Sequence, residues 1–237
     1  MKLDKLKIKI FADGADIDSI KKLNQNNFIK GFTTNPSLMK KAGVTDYKDF
    51  ALKILSEIRD KPISFEVFSD EISEMEKQAF EIAKWGKNVN VKIPVTNTKK
   101  ESTAELIRKL SLEGITCNVT ALFTSDQINE VFDAIDKSTP AILSVFAGRI
   151  ADTGVDPSSI INHSVGLIKS KPKTEVLWAS TRETLNIFQA EKLGCQIITV
   201  PHEILNKLNH LNKNLDEFSL ETVKSFYKDS VAAGFKI

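Results

Sequence analysis

Short runs of β-branched and aliphatic residues alternate along the chain with longer segments of helical period, and this alternation predicts a parallel sheet crossed by helices. The strand candidates are IKIFA from Ile8, GFTT from Gly31, ISFEVF from Ile63, VNVKIPV from Val89, ITCNVTA from Ile115, AILSVFAG from Ala141, TEVLWA from Thr174 and CQIITV from Cys195, eight in all. Between them lie amphipathic stretches such as DYKDFALKILSEIRD, EISEMEKQAFEIAKW and TSDQINEVFDAIDK, each able to cross back over the sheet. Two more, roughly 201–211 and 220–233, follow the eighth strand. Eight βα units in 237 residues fit a single (β/α)8 TIM barrel, a fold of roughly 250 residues, with an additional C-terminal helix. No Gly-, Pro- or Ser-rich linker divides the chain, so residues 1–237 are expected to form one domain with 218–237 as a helical extension. The competing architecture, a doubly wound open sheet, usually carries a Gly-rich phosphate fingerprint in its first βα turn, and none follows IKIFA.

Side chains alternate faces along a strand, which turns the pattern into a statement about chemistry. In VNVKIPV, Val89, Val91, Ile93 and Val95 share the face that meets the helices, leaving Asn90 and Lys92 inside the barrel. The same parity turns Glu66 inward with Ser64 and Phe68, Asn118 and Thr120 inward with Thr116, Ser144 inward with Phe146, and Asp13 inward from the first strand. A parallel barrel has no solvated sheet face. These polar groups from five strands are therefore expected to converge near the C-terminal ends of the strands, where barrel enzymes hold their active sites.

A lysine in water is almost fully protonated at neutral pH, whereas apolar surroundings favour the neutral amine, which can attack a carbonyl. Glu66 and Asp13 close to Lys92 would favour the ammonium instead, so both are expected nearer the substrate hydroxyls and a proton-relay water. Asp13 suits the base that takes a hydroxyl proton and triggers C–C cleavage, Asn35 and Asn118 can bond sugar hydroxyls, and Thr120 with Glu66 can hold the water. Arg149 and Arg182 follow strands six and seven, where a guanidinium beside helix N–H groups clamps phosphate; Ser180 and Thr181 can cap that helix.

Composition narrows the partners. Lys plus Arg (33) nearly balances Asp plus Glu (31) without a basic stripe, so nucleic acid is not expected. No apolar run approaches the ~20 residues that span a bilayer, and MKLDKLKIKIFADG enters a strand pattern without a signal-peptide core. Cys117 and Cys195 sit apart in apolar runs and read as buried free thiols in a reducing cytoplasm. His163, His202 and His210 lack metal-ligand spacing, and no metal or other cofactor is expected.

GFTTNPS at 31–37, VKIPVT at 91–96, GITCNVTALFTSDQ at 114–127, GRIADTGVDP at 148–157 and ASTRE at 179–183 together resemble the short form of the transaldolase family over essentially the whole chain. The resemblance implies a transaldolase that moves a dihydroxyacetone unit from a ketose phosphate to an aldose phosphate. In that reading Lys92 is the Schiff-base lysine, Asp13 the acid/base for cleavage, and Glu66 with Thr120 the holders of the catalytic water. It further implies substrate contacts from Asn35, Asn118 and Ser144, with Arg149, Ser180 and Arg182 around the phosphate; Thr34 and Phe146 are expected beside them. A sister branch works as a fructose-6-phosphate aldolase and carries Gln and Tyr where this chain has Glu66 and Phe146, so both positions resemble the transferring branch. The aldolase and a non-catalytic sugar-phosphate binder are the alternatives. The chain departs from the pattern at Gly14, where relatives usually have Thr or Ser, and in the loop NTKKES, whose Lys99 and Lys100 are expected to bias acceptor choice. Short-form relatives are often ring-like homo-oligomers in which the C-terminal helix reaches a neighbour, and LETVKSFYKDSVAAGF suits that purpose.

Overall fold

A computed structural model describes residues 3–236. Eight parallel strands pair in sequence order into a closed barrel: β1 (Lys9–Asp13), β2 (Ile29–Thr33), β3 (Ile63–Glu66), β4 (Val89–Pro94), β5 (Cys117–Leu122), β6 (Ala141–Val145), β7 (Thr174–Trp178) and β8 (Ile197–Pro201). The helices are α1 (Ile17–Asn24), α2 (Pro36–Lys41), α3 (Tyr47–Glu57), α4 (Ile72–Ala83), α5 (Ala104–Leu112), α6 (Ser125–Ala134), α7 (Ala147–Asp152), α8 (Ser158–Leu167), α9 (Leu185–Lys192), α10 (His202–Asn206) and α11 (Leu215–Ala233). The chain is thus a (β/α)8 barrel with an added C-terminal helix.

Two apolar layers hold it. The outer layer joins the outward strand faces (Val91, Ile93, Val119, Leu143, Val176, Ile198) to helix residues such as Ile54, Ile82, Ile107 and Ile128, all essentially inaccessible to solvent. Each such burial stabilises the fold by about 1.5–3 kcal/mol before entropy is counted. A smaller layer inside the barrel is made by Phe11, Ile142, Leu177, Ala179 and Ile197, with Phe146 against it. Gly31 is required here, because a Cβ at that position would lie 2.6 Å from the Phe11 ring. Lys9 and Glu175, on the inward parity of β1 and β7, form an ion pair at 2.5 Å at the opposite end of the strands from the polar groups.

Local signals start the helices. Asp16, Asn35 and Asp46 accept from Ser19, Leu38 and Asp49 N–H groups, and Thr124 with Gln127 forms a capping box. Asn214 caps α11, so that helix begins at Leu215, earlier than the 218 expected, and it ends at Gly234 in the left-handed conformation. The expected cap at Ser180 and Thr181 does not form: α9 begins only at Leu185, and the Thr181 hydroxyl donates to the Thr199 carbonyl instead. Phe68, expected inside, is 66% exposed and stacks edge-on against Tyr47, because β3 ends at Glu66 and strand parity no longer applies beyond it. Among the described residues no helix is long and apolar enough to cross a membrane.

Candidate active site

At the C-terminal mouth of the barrel lies a cavity of about 460 Å³, lined from every strand or the loop after it. Strand register sets its polar groups in rows. Glu66 pairs with Lys92, Lys92 with Asn118, and Asp13 with Thr33. Lys92 is buried, 8% exposed; its Nζ lies 3.0 Å from Glu66 Oε2 and donates to the Thr34 carbonyl at 3.1 Å. The expected separation of Glu66 from the lysine is therefore wrong: the aligned register places the two side chains next to each other on one inward row. A carboxylate in this contact compensates the buried ammonium and is placed to take its proton.

Asp13 lines the same cavity. The Thr33 hydroxyl donates to Asp13 Oδ1 at 2.8 Å, and Thr33 and Thr199 hydroxyls meet at 2.5 Å. With the Thr33 proton committed to the carboxylate, Thr199 is the donor in that second bond. Burial pushes the Asp13 carboxyl above the usual range, against the pull of the Lys92 charge, the Thr33 hydrogen bond and His202. Asn118, wholly buried, donates to Ser64 Oγ at 2.9 Å and accepts from Ser144 Oγ at 2.6 Å, which ties β3, β5 and β6 together inside the barrel. Thr120 Oγ1 is buried and unpartnered, a hydroxyl with capacity to hold a water or a substrate oxygen.

The far wall holds Phe146, Arg149 and Ser180. Arg149 stands 5.6 Å from the Phe146 ring centroid, and Phe146 packs against Phe123. Ser180 (φ 61°) and Ala121 (φ 60°) are both left-handed non-glycine residues on the cavity wall, a costly conformation that the surrounding packing imposes.

Two expected substrate contacts and one expected charge effect are not brought to the cavity. Thr34 is buried with its hydroxyl on the Ser64 carbonyl, so only its backbone serves the site, through Lys92. Arg182 is ion-paired with Asp152, its Nε donating to Oδ1 at 3.1 Å, and does not line the cavity. Lys99 is paired with Glu71 at 2.6 Å, and neither it nor Lys100 lines the cavity. Thr33 and Thr199 were missed, although the outward faces of Phe32, Ile198 and Val200 turn both inward by the same parity.

A buried lysine and a carboxylate side by side at the C-terminal mouth of a closed eight-stranded barrel form the candidate active site of a (β/α)8-barrel enzyme. The family model for Transaldolase/Fructose-6-phosphate aldolase matches residues 10–237, and the chain belongs to this family. It is 38% identical over 202 residues to a probable transaldolase of Dehalococcoides mccartyi, covering 85% of this chain and 90% of that protein. It is 35% identical over 233 residues to a probable transaldolase of a Thermoanaerobacter species, covering 97% and 100%. A probable transaldolase of Nitrosopumilus maritimus is 35% identical over 224 residues, 94% of each chain.

Proposed function

We propose that this enzyme is a transaldolase, moving a dihydroxyacetone unit from a ketose phosphate to an aldose phosphate through a Schiff base on Lys92. The observation that carries the reading is the Lys92–Glu66 contact at 3.0 Å on the wall of a cavity that also holds Asp13. Glu66 takes a proton from the ammonium, and the amine attacks the ketose C2 carbonyl. The carbinolamine loses water, with Thr120 and Glu66 holding the molecule that shuttles protons, and leaves an iminium. Asp13 then takes the C4 hydroxyl proton; the C3–C4 bond breaks, its electrons pass into an enamine, and the shortened aldose leaves. An incoming aldehyde reverses these steps, with Asp13 returning its proton to the new hydroxyl.

Asn118 and Ser144, locked to each other and to Ser64, suit the ketose hydroxyls, as does Asn35 at the rim. Arg149 and Ser180 suit the phosphate. Arg182 would join them only by exchanging Asp152 for the phosphate. Phe146 offers no hydroxyl to protonate the enamine, which favours retention of the three-carbon unit until an acceptor arrives. Purified protein given a ketose phosphate and an aldose phosphate should form the exchanged pair. Rapid cleavage of fructose 6-phosphate without any acceptor would instead support the aldolase reading.

Replacing Asp13 by Asn should lower turnover by about 10²–10⁴-fold, the usual worth of a positioned acid/base. Covalent capture of the ketose should survive, because imine formation precedes the step Asp13 serves. Single-turnover trapping beside steady-state rates checks this; equal loss of both would remove Asp13 from the cleavage step.

The same reading extends to assembly and compartment. Helix α11 buries none of its residues, and Leu220, Val223, Phe226, Tyr227 and Val231 are all exposed along it. So much unpartnered apolar surface fits a homo-oligomer contact, and the ring-like form is the arrangement proposed. Phe226→Asp should lower the mass seen by sedimentation velocity, whereas a monomeric wild-type protein would contradict the assembly. Cys117 and Cys195 are buried free thiols, pushed up to about 12 by burial, and suit a reducing cytoplasm.

A further inference from the structure

Gly14 and His202 are neighbours by register. Asp13 pairs with Pro201 across β1 and β8, and the residues just past the two strand ends, Gly14 and His202, the first residue of α10, meet at the barrel mouth beside the proposed base. A Cβ on Gly14 would stand 3.0 Å from His202 Nε2 and 3.2 Å from Cε1, so the imidazole occupies the room that an absent side chain leaves. Gly14 is not in a left-handed conformation, and its smallness answers to this ring and not to its backbone. His202 Nε2 is buried without a hydrogen-bond partner. A buried ring nitrogen without a partner costs free energy and calls for a role.

We propose that His202 is a positioning residue acting through Asp13: its ring, seated in the space left by Gly14, presents a positive charge to the Asp13 carboxylate at acid pH and so preserves the base form there. This rests on Asp13 being the base of the transaldolase reading. Asp13 and Asp16 are the charged groups that act on His202, and both favour the imidazolium. Burial opposes them and holds the imidazole below its usual range. Burial raises Asp13, while Lys92, the Thr33 hydrogen bond and His202 lower it and Glu66 raises it. The sign follows. A protonated His202 favours the Asp13 carboxylate, and without it Asp13 takes up its proton at higher pH.

The direct test is a proton NMR titration of the His202 Cε1–H, assigned among three histidines by its loss in His202→Gln. Asp13→Asn should lower the His202 midpoint by about half a unit or more, because a carboxylate favouring the imidazolium is gone. An unmoved midpoint overturns the proposal. In kinetics, His202→Gln and Gly14→Ser should each move the acid limb of kcat/KM upward, with about a two- to three-fold loss at the limb relative to the optimum. Gly14→Ser retains the histidine and displaces only its ring, so the effect does not depend on one variant folding. Acid limbs unchanged in both variants also overturn it. The titration is read without substrate, so failure of the transaldolase reading, seen as no transfer at any pH, is distinct from failure of this coupling.

Discussion

Lys92→Ala is expected to abolish covalent capture of a ketose and to lower kcat/KM by roughly 10⁴-fold or more, because no other group in the cavity can replace the attacking amine. Among the described residues nothing else on the wall offers a primary amine: the other basic residue there is Arg149, whose guanidinium stays protonated and does not form an imine. The substitution also leaves Glu66 without its counter-charge in a partly buried site, which costs about 3–5 kcal/mol if the carboxylate stays charged. Thermal unfolding should therefore accompany the kinetics. Lys92→Ala/Glu66→Gln should recover much of the lost stability with none of the activity, separating the electrostatic role of the pair from its chemistry. Residual catalysis within tenfold of wild type in Lys92→Ala would remove this lysine from the reacting centre.

Gly148→Ala should be the most damaging single methyl addition on the far wall. The added Cβ would fall 1.6 Å from the Ser180 carbonyl oxygen and 2.7 Å from its carbonyl carbon, contacts that no side-chain rotation relieves. Gly148 N–H also donates to the Ala179 carbonyl, so α7 and the loop after β7 are already in direct backbone contact. The loop must move, and with it Ser180 in its left-handed conformation beside Arg149. A cost of about 3–5 kcal/mol follows from overpacking against backbone, which for a chain of this size lowers Tm by about 10 °C. The enzyme that remains folded should show a raised KM for phosphorylated substrates and a smaller change in kcat. A normal KM would separate Ser180 from the phosphate.

The eight strands and the inward set Asp13, Glu66, Lys92, Asn118 and Ser144 were legible because parity within one strand is a local property, written in residues two apart. What parity does not carry is the register between strands. Glu66 and Lys92 were each placed inward, yet their contact depends on the pairing of β3 with β4, which neither strand encodes alone. Arg182 shows the same limit: its Asp152 partner lies thirty residues away, across two loops, and only the folded chain joins them. Thr34 escapes the substrate role for a different reason. It lies just past the end of β2, where its hydroxyl finds the Ser64 carbonyl and parity gives no guidance. Helices α2 and α7 hold six residues each, too short for a helical period to declare itself. Thr199 is readable by the same parity, since Ile198 and Val200 face the helices.

Lys92 is the residue expected to form the bond to substrate. Incubation of the protein with a ketose phosphate and borohydride, followed by proteolysis and peptide mass spectrometry, reads it directly. One substrate-dependent adduct is expected, on Lys92, with the mass of the reduced sugar conjugate; a reproducible adduct elsewhere with Lys92 unmodified, or no adduct under conditions of active transfer, would remove Lys92 from the chemistry.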